Sequence, residues 1–154
     1  MAERNPATGR TTAAEVEELG ARALFVETDV GEKAQVDRAI EKTIEAFGRV
    51  DILVNNAVAS RARPFLEIAE EDWDFEVGNA LKGYFLCSQR AAQEMIAQGG
   101  GGRIVSISSV HAFRAWPNDL VYGVCKAGLI RMTMSMALDL RGQGINCNCV
   151  APGY

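Results

Sequence analysis

The chain has 154 residues, enough for one domain with a substantial core and too few for two. Hydrophobic residues make up 48%, charged residues 23%, and the net charge is -4, as in an ordinary globular protein. Positive charges are scattered, no apolar run approaches the ~20 residues of a spanning helix, and Met1–Pro6 has no signal-peptide core. These features argue against nucleic-acid and membrane partners, and we expect a cytoplasmic protein.

The cysteines are too few and too widely spaced to suggest a metal site. They are Cys87, Cys125, Cys147 and Cys149; none forms a C-x-x-C pair, and His111 is the single histidine. Zinc sites usually need closer ligand pairs. We therefore predict no metal and no disulfide, and interpret the thiols as small buried groups.

Helical and strand patterns alternate along the first third of the chain. The patterns predict the end of a helix over 11–19, a strand over 22–29, a helix over 32–47 and a strand over 51–56. Gly20 and Gly48 supply the stops after the two helices. The strand over 51–56 is apolar until it turns polar at Asn55-Asn56, as a buried parallel strand does when its tip faces a ligand.

The same alternation continues to the end of the chain. It predicts a long helix over 71–97, a strand over 103–108, a helix over 119–140 and a strand over 145–150, with the four glycines 99–102 breaking the long helix. Strands alternating with helices imply right-handed crossovers and a doubly wound α/β domain, its parallel sheet covered on both faces. We expect residues 1–154 to form one partial, Rossmann-like catalytic domain.

Polar or turn-forming residues follow each predicted strand at its carboxyl end. They are Asp29, Asn55-Asn56, Ser108-Ser109 and Pro152-Gly153. Each alone is typical of a turn or a helix cap. Because open parallel sheets bind ligands at this edge, their occurrence together favours a ligand crevice.

The most specific motif is a tyrosine followed four residues later by a lysine. Tyr122 and Lys126 would share one face of the predicted helix, and Ser109 lies thirteen residues before the tyrosine. A cation near a phenol lowers the phenol pKa by roughly 1–3 units, which brings a tyrosinate within reach near neutral pH. A serine at a strand end would then hold a substrate oxygen beside that phenol. The alternative is a surface helix with an exposed tyrosine and lysine.

Together with Asp29-Val30, Asn55-Asn56-Ala57 and Pro152-Gly153, these residues resemble the short-chain dehydrogenase/reductase family in motif and order, over essentially the whole chain. The resemblance implies a hydride transfer between NAD or NADP and a small-molecule alcohol or ketone. It implies that Ser109 orients the substrate oxygen, that Tyr122 is the general acid/base, and that Lys126 binds the nicotinamide ribose. The implied cofactor contacts are Asp29, Val30, Asn55, Asn56, Ala57, Tyr122, Lys126, Pro152 and Gly153.

The chain departs from the family at both ends. The family opens with a strand and a Gly-x-x-x-Gly-x-Gly turn for the pyrophosphate, and this chain has no such turn. We expect an incomplete sheet that lacks the family's first two strands and its last. The chain would begin just after the second strand, where Glu3 falls near the family's ribose-binding acid and favours NAD.

A further departure concerns the fourth catalytic residue of the family, an asparagine of the long helix. Ungapped comparison, counted from Lys82-Gly83, puts Ala80 at that position and Asn79 one residue early. We assign the role to Asn79. Val58 also replaces a glycine that commonly follows Asn-Asn-Ala in the family.

Several alternatives stay open at this point. His111, Trp116 and Asn118 either line a substrate pocket or pack as ordinary loop residues. The competing function is a non-catalytic fragment that cannot bind cofactor alone, and a third is a family member with dehydratase or epimerase chemistry. The resemblance also implies a homo-oligomer in the complete form.

Overall fold

A computed structural model describes residues 1–153, in which parallel strands alternate with helices. This order confirms the predicted α/β class. The elements are β1 (Ala2–Glu3), α1 (Pro6–Glu18), β2 (Val26–Glu27), α2 (Lys33–Phe47), β3 (Ile52–Asn55), α3 (Glu70–Val77), α4 (Gly83–Gln98), β4 (Gly102–Ile107), α5 (Leu120–Asp139) and β5 (Ile145–Val150). No helix among the described residues is both long and apolar enough to cross a membrane.

The strands form two separate parallel sheets, β1-β2 and β3-β4-β5. The start of the chain corrects one expectation, because Ala2–Glu3 forms a strand where the chain was expected to begin after the second strand. The shortness of β1 also explains why the strand predicted over 22–29 is itself short. With only two residues of β1 beside it, only Val26–Glu27 is paired as a strand.

The main core lies on one face of the three-stranded sheet. Ile104, at the centre of β4, is fully buried and pairs in register with Leu53 and Cys147. The surrounding cluster takes residues from α2, α4 and α5, namely Ile40, Ile44, Ala91, Ala92, Met95, Met136 and Ala137. On the opposite face Ile52 is 64% and Val54 56% exposed. Within residues 1–153, the helices therefore cover one face of β3 and leave Ile52 and Val54 exposed on the other.

Two glycines bring the amino ends of β4 and β5 into contact. Gly101 has a φ of +73°, and a Cβ there would lie 2.3 Å from the carbonyl oxygen of Gly144. The backbone N–H of Gly102 donates to that same oxygen at 3.3 Å. Only glycine fits position 101, both for its left-handed conformation and for the close approach.

The long helix predicted over 71–97 runs from Glu70 to Gln98, but its middle is not α-helical. The five residues Gly78–Lys82 have π geometry between α3 and α4. A π turn inserts an extra residue and rotates the side chains that follow it, and such turns are frequent at functional sites. This one lies where the sequence comparison places the family's fourth catalytic residue.

Candidate active site

A cavity of about 300 Å³ opens at the carboxyl ends of β4 and β5, beside the amino end of α5. Ser109 follows β4, Tyr122 and Lys126 lie on α5, and Pro152-Gly153 follow β5; all of them line this cavity. Residues that the sequence places on three separate segments are thus brought together. The arrangement follows from parallel topology, which directs the carboxyl ends of neighbouring strands to one edge.

Lys126 is buried one helical turn after Tyr122. Its side chain is 2% exposed, and its ammonium donates a hydrogen bond to the carbonyl oxygen of Ile107 at 2.6 Å. The Nζ atom lies 5.5 Å from the centroid of the Tyr122 ring and 5.5 Å from that of Tyr84. Burial lowers the pKa of Lys126 below the ordinary value for a lysine. The ammonium therefore sits between two aromatic rings, where cation–π attraction offsets part of its lost hydration.

Ser109 caps the short helical turn Val110–Ala112. Its Oγ accepts a hydrogen bond from the backbone N–H of His111 at 3.2 Å. Because Oγ acts there as an acceptor, the hydroxyl hydrogen is left to be donated to another oxygen. The neighbouring Ser108 donates its own hydroxyl to the carbonyl oxygen of Lys126 at 2.7 Å and so ties α5 to the end of β4.

The side chain of Asn79 points away from this cavity. Its amide donates to the carbonyl oxygen of Phe75 at 2.8 Å, and Asn79 is absent from the residues lining the cavity. The next residue, Ala80, is 2% exposed and packs against Val121 and Cys125 of α5. The side chain of Asn79 is therefore not brought to the other candidate residues, and its catalytic role stays a prediction.

A second cavity, of about 440 Å³, is lined by residues of both sheets and shares one lining residue with the first. Asn55, Asn56 and Ala57 line it, and Asn56 lines both cavities. Asn55 is buried and donates its amide to the hydroxyl of Ser88 at 2.9 Å. Asn55 thus holds the strand end, while Asn56 lines both cavities.

Asp29 and Val30 have different surroundings. One carboxylate oxygen of Asp29 accepts from the backbone N–H of Gly31 at 2.9 Å, and the other lies 3.8 Å from the guanidinium of Arg4. Val30 lines the second cavity, whereas Asp29 does not. A Cβ at Gly83 would lie 2.8 Å from Val30, so the helix can approach the strand end only with glycine there.

Sequence reasoning missed one hydrogen-bonded pair beside the cavity. His111 Nδ1 and an Asp119 carboxylate oxygen lie 2.7 Å apart, with both residues largely buried. The His111 ring stacks on Trp116 with centroids 4.1 Å apart, and meets the Tyr122 ring edge-on at 5.3 Å. Two residues eight apart in a loop give no periodic signal, so the pair could not be read from spacing.

The residues whose role stayed open fall on a larger neighbouring cavity of about 570 Å³. His111, Trp116 and Asn118 all line it. His111 also lines the cavity that holds Tyr122 and Lys126.

Tyr84 was also missed as a neighbour of the site. It is 1% exposed, and its hydroxyl has no hydrogen-bond partner among the described residues. Burial raises the pKa of Tyr84, so this phenol keeps its proton. The helical spacing of Leu81 and Phe85 predicts the helix that carries Tyr84. That Tyr84 lies beside Lys126 is seen only in the folded structure.

Comparison with known proteins places the chain in a family. The short chain dehydrogenase family matches residues 1–154, and the chain belongs to it. This confirms the resemblance drawn from the motifs.

Two curated relatives illustrate the similarity. The chain is 44% identical over 147 residues to the (2S)-[(R)-hydroxy(phenyl)methyl]succinyl-CoA dehydrogenase subunit BbsD of Thauera aromatica, covering 94% of this chain and 57% of the relative. It is 43% identical over 144 residues to the uncharacterized oxidoreductase YohF of Escherichia coli strain K12, with the same two coverages. The chain thus spans a little over half the length of these relatives.

Solved structures share the fold. Acetoin dehydrogenase from Enterobacter cloacae has a TM-score of 0.90 at 43% identity, over 99% of this chain and 60% of that one. A gluconate 5-dehydrogenase from Burkholderia cenocepacia J2315, in complex with NADP and tartrate, has a TM-score of 0.92 at 35% identity, over 100% of this chain and 60% of that one. The incomplete Rossmann-like fold is therefore confirmed.

Proposed function

We propose that this chain carries the catalytic residues of an NAD(P)-dependent oxidoreductase that interconverts an alcohol and a ketone. The observation that carries the proposal is the meeting of Ser109, Tyr122 and Lys126 in one cavity, with the ammonium 5.5 Å from the Tyr122 ring. A hydroxyl donor, a phenol and a cation at one point are what a reaction needs when an oxygen gains or loses a proton.

Each residue has a separate task in reduction of a ketone. Ser109 donates its hydroxyl hydrogen to the carbonyl oxygen and holds that oxygen beside Tyr122. Tyr122 then gives its phenol proton to the oxygen, and the buried ammonium of Lys126 stabilises the phenolate left behind. Oxidation of an alcohol runs the same transfers in reverse, with Tyr122 taking the proton.

The residues that line these two cavities suit a nicotinamide cofactor, with Asn56 common to both linings. The Lys126 ammonium uses one N–H on the carbonyl of Ile107, so further N–H groups are left for ribose hydroxyls. When bound, the cofactor supplies or accepts the hydride. Asn56, Ala57 and Val30 would line its adenosine side, Asp29 would contact the adenine ring, and Pro152-Gly153 would border the nicotinamide.

We favour NAD over NADP because of Glu3. This carboxylate ends β1, lines the second cavity and accepts from the backbone N–H of Asn5 at 2.8 Å. A carboxylate held there would repel a 2′-phosphate. Replacing Glu3 with Ser should lower the ratio of NADH affinity to NADPH affinity, as measured by fluorescence titration. An unchanged ratio would show that Glu3 does not determine the preference for NAD.

Tyr122→Phe tests the mechanism. The substitution keeps the ring and removes the proton, so turnover of an alcohol and ketone panel should fall by about 10²–10⁴-fold, while NADH binding is retained. Lys126→Met should lose turnover as well, and Lys82→Met, at an exposed position, is the matched control. A Tyr122→Phe protein with near-normal kcat would refute the assignment.

The competing function, a non-catalytic fragment that cannot bind cofactor alone, has one observation in its favour. Ile52 and Val54 are more than half exposed on the open face of β3, and apolar strands of that kind are normally covered. NADH titration of the chain separates the two functions. Saturable binding supports the catalytic proposal, and its absence supports the alternative.

The homo-oligomer is proposed on similar grounds. Phe85 on α4 and Val124, Met134 and Leu138 on α5 are each 45–70% exposed. Paired helices from two copies would cover them. Sedimentation equilibrium, with Met134→Glu as the disrupting variant, tests this.

A further inference from the structure

The loop between Ser109 and Tyr122 carries a connected set of rings that reaches both residues. Trp116 stacks on His111 at 4.1 Å with ring planes 15° apart, and His111 meets Tyr122 at 88°. The backbone N–H of His111 donates to Ser109 Oγ at 3.2 Å. One residue therefore contacts the serine through its backbone and the tyrosine through its side chain.

The His111 ring is itself held in place from two sides. Asp119, next to the amino end of α5, accepts a hydrogen bond from Nδ1 at 2.7 Å, and Trp116 covers one face of the ring. Between them Asn118 adopts a φ of 61°, a left-handed conformation that asparagine tolerates better than most residues. This turn precedes Asp119, so the loop conformation and the pair are linked.

We propose that His111 is a positioning residue, held by Asp119 and Trp116, that keeps Ser109 and Tyr122 in catalytic register. The proposal rests on the function proposed above. The serine follows a strand and the tyrosine lies on a helix, so their relative position depends on whatever joins the two elements. A displacement of about 1 Å at a reacting group costs on the order of 10²-fold in rate, and the edge-on contact of the His111 ring restrains the position of the phenol ring.

A graded variant series tests this role. His111→Ala removes ring and hydrogen bond and should lower kcat by about 10–100-fold, with NADH affinity retained. His111→Phe keeps a ring, and Asp119→Ala removes the hydrogen-bond partner but keeps the imidazole. The kcat of both variants should therefore lie between that of the parent and that of His111→Ala. Asp119→Asn retains an oxygen that accepts from Nδ1 and should stay near the parent.

A second readout needs no turnover. The chain has three tyrosines, so 3-fluorotyrosine labelling gives three fluorine resonances, with that of Tyr122 assigned by Tyr122→Phe. His111→Ala should shift or broaden the Tyr122 resonance and leave that of Tyr84 in place. An inactive parent would count against the proposed function, while the resonance would still decide the position of Tyr122.

Several outcomes would overturn the role of His111. A His111→Ala protein with parental kcat and an unmoved Tyr122 resonance would do so. If the kcat of Asp119→Asn were as low as that of His111→Ala, the loss of rate would come from the carboxylate charge and not from the hydrogen bond. If His111→Ala does not fold, with the Tyr84 resonance lost, the comparison of Asp119→Asn with Asp119→Ala carries the test.

Discussion

Replacement of Tyr84 with Phe should stabilise this protein. The phenol is 1% exposed, its hydroxyl has no hydrogen-bond partner among the described residues, and burial raises its pKa so that it stays protonated. A buried donor left without a partner costs about 1–3 kcal/mol. The substitution removes that cost and keeps the ring 5.5 Å from the Lys126 ammonium.

The free energy of unfolding should therefore rise by about 1–3 kcal/mol. For a protein of this size that corresponds to a Tm increase of roughly 2–12 °C. Urea and thermal unfolding followed by circular dichroism measure both quantities. Tyr84→Leu is the matched contrast: it removes the hydroxyl and the ring together, and loses a cation–π contact of about 0.5–2 kcal/mol as well as packing.

The result that refutes this reasoning is a Tyr84→Phe protein no more stable than the parent. It would mean that the hydroxyl is satisfied in solution, for example by a buried water. Equal stability of the Phe and Leu variants would show instead that the ring contributes nothing to holding Lys126.

Three further predictions concern packing, charge and thiol chemistry. Leu129→Ala, at a fully buried position of α5, should lower the free energy of unfolding by about 2–5 kcal/mol, and Leu19→Ala, 87% exposed, should change it little; equal effects would contradict the core. Burial lowers the folded-state pKa of Lys126 below 10.5. As pH rises through the window between that lowered pKa and 10.5, the parent should therefore gain free energy of unfolding relative to Lys126→Met. Parallel pH curves of the two proteins, measured by urea unfolding, would contradict this. Burial raises the pKa of the Cys125 thiol from 9.0 to about 11, so at pH 8 its thiolate should be about 100-fold scarcer than in the unfolded chain; iodoacetamide labelling read by mass spectrometry should be slow until urea is added.

Much of the fold could be predicted because its signals are local. Helical spacing located α2 and α5 almost to the residue, and the left-handed glycine Gly48 ends α2 as expected. The meeting of Ser109 with Tyr122 and Lys126 also followed, since parallel strands direct their carboxyl ends to one edge.

What could not be predicted depends on contacts between distant segments. The length of β2 is set by the two residues of β1 beside it, and no pattern within 22–29 reports that. Asn79 lies within the π turn Gly78–Lys82 and donates its amide to the carbonyl of Phe75, neither of which ungapped counting can report. The His111–Asp119 pair depends on a loop conformation and on no periodicity.

The contact of Gly101 with Gly144 matters at the far end of the sheet. The two strands stay paired from Gly102 with Ile145 to Ile107 with Val150, so the fit at their beginning sets how their endings align. A slip of two residues would move one ending past the other by about 7 Å, more than the length of the hydrogen bonds a reacting oxygen needs. A methyl group at position 101 should therefore act on chemistry roughly 20 Å away, through strand alignment alone.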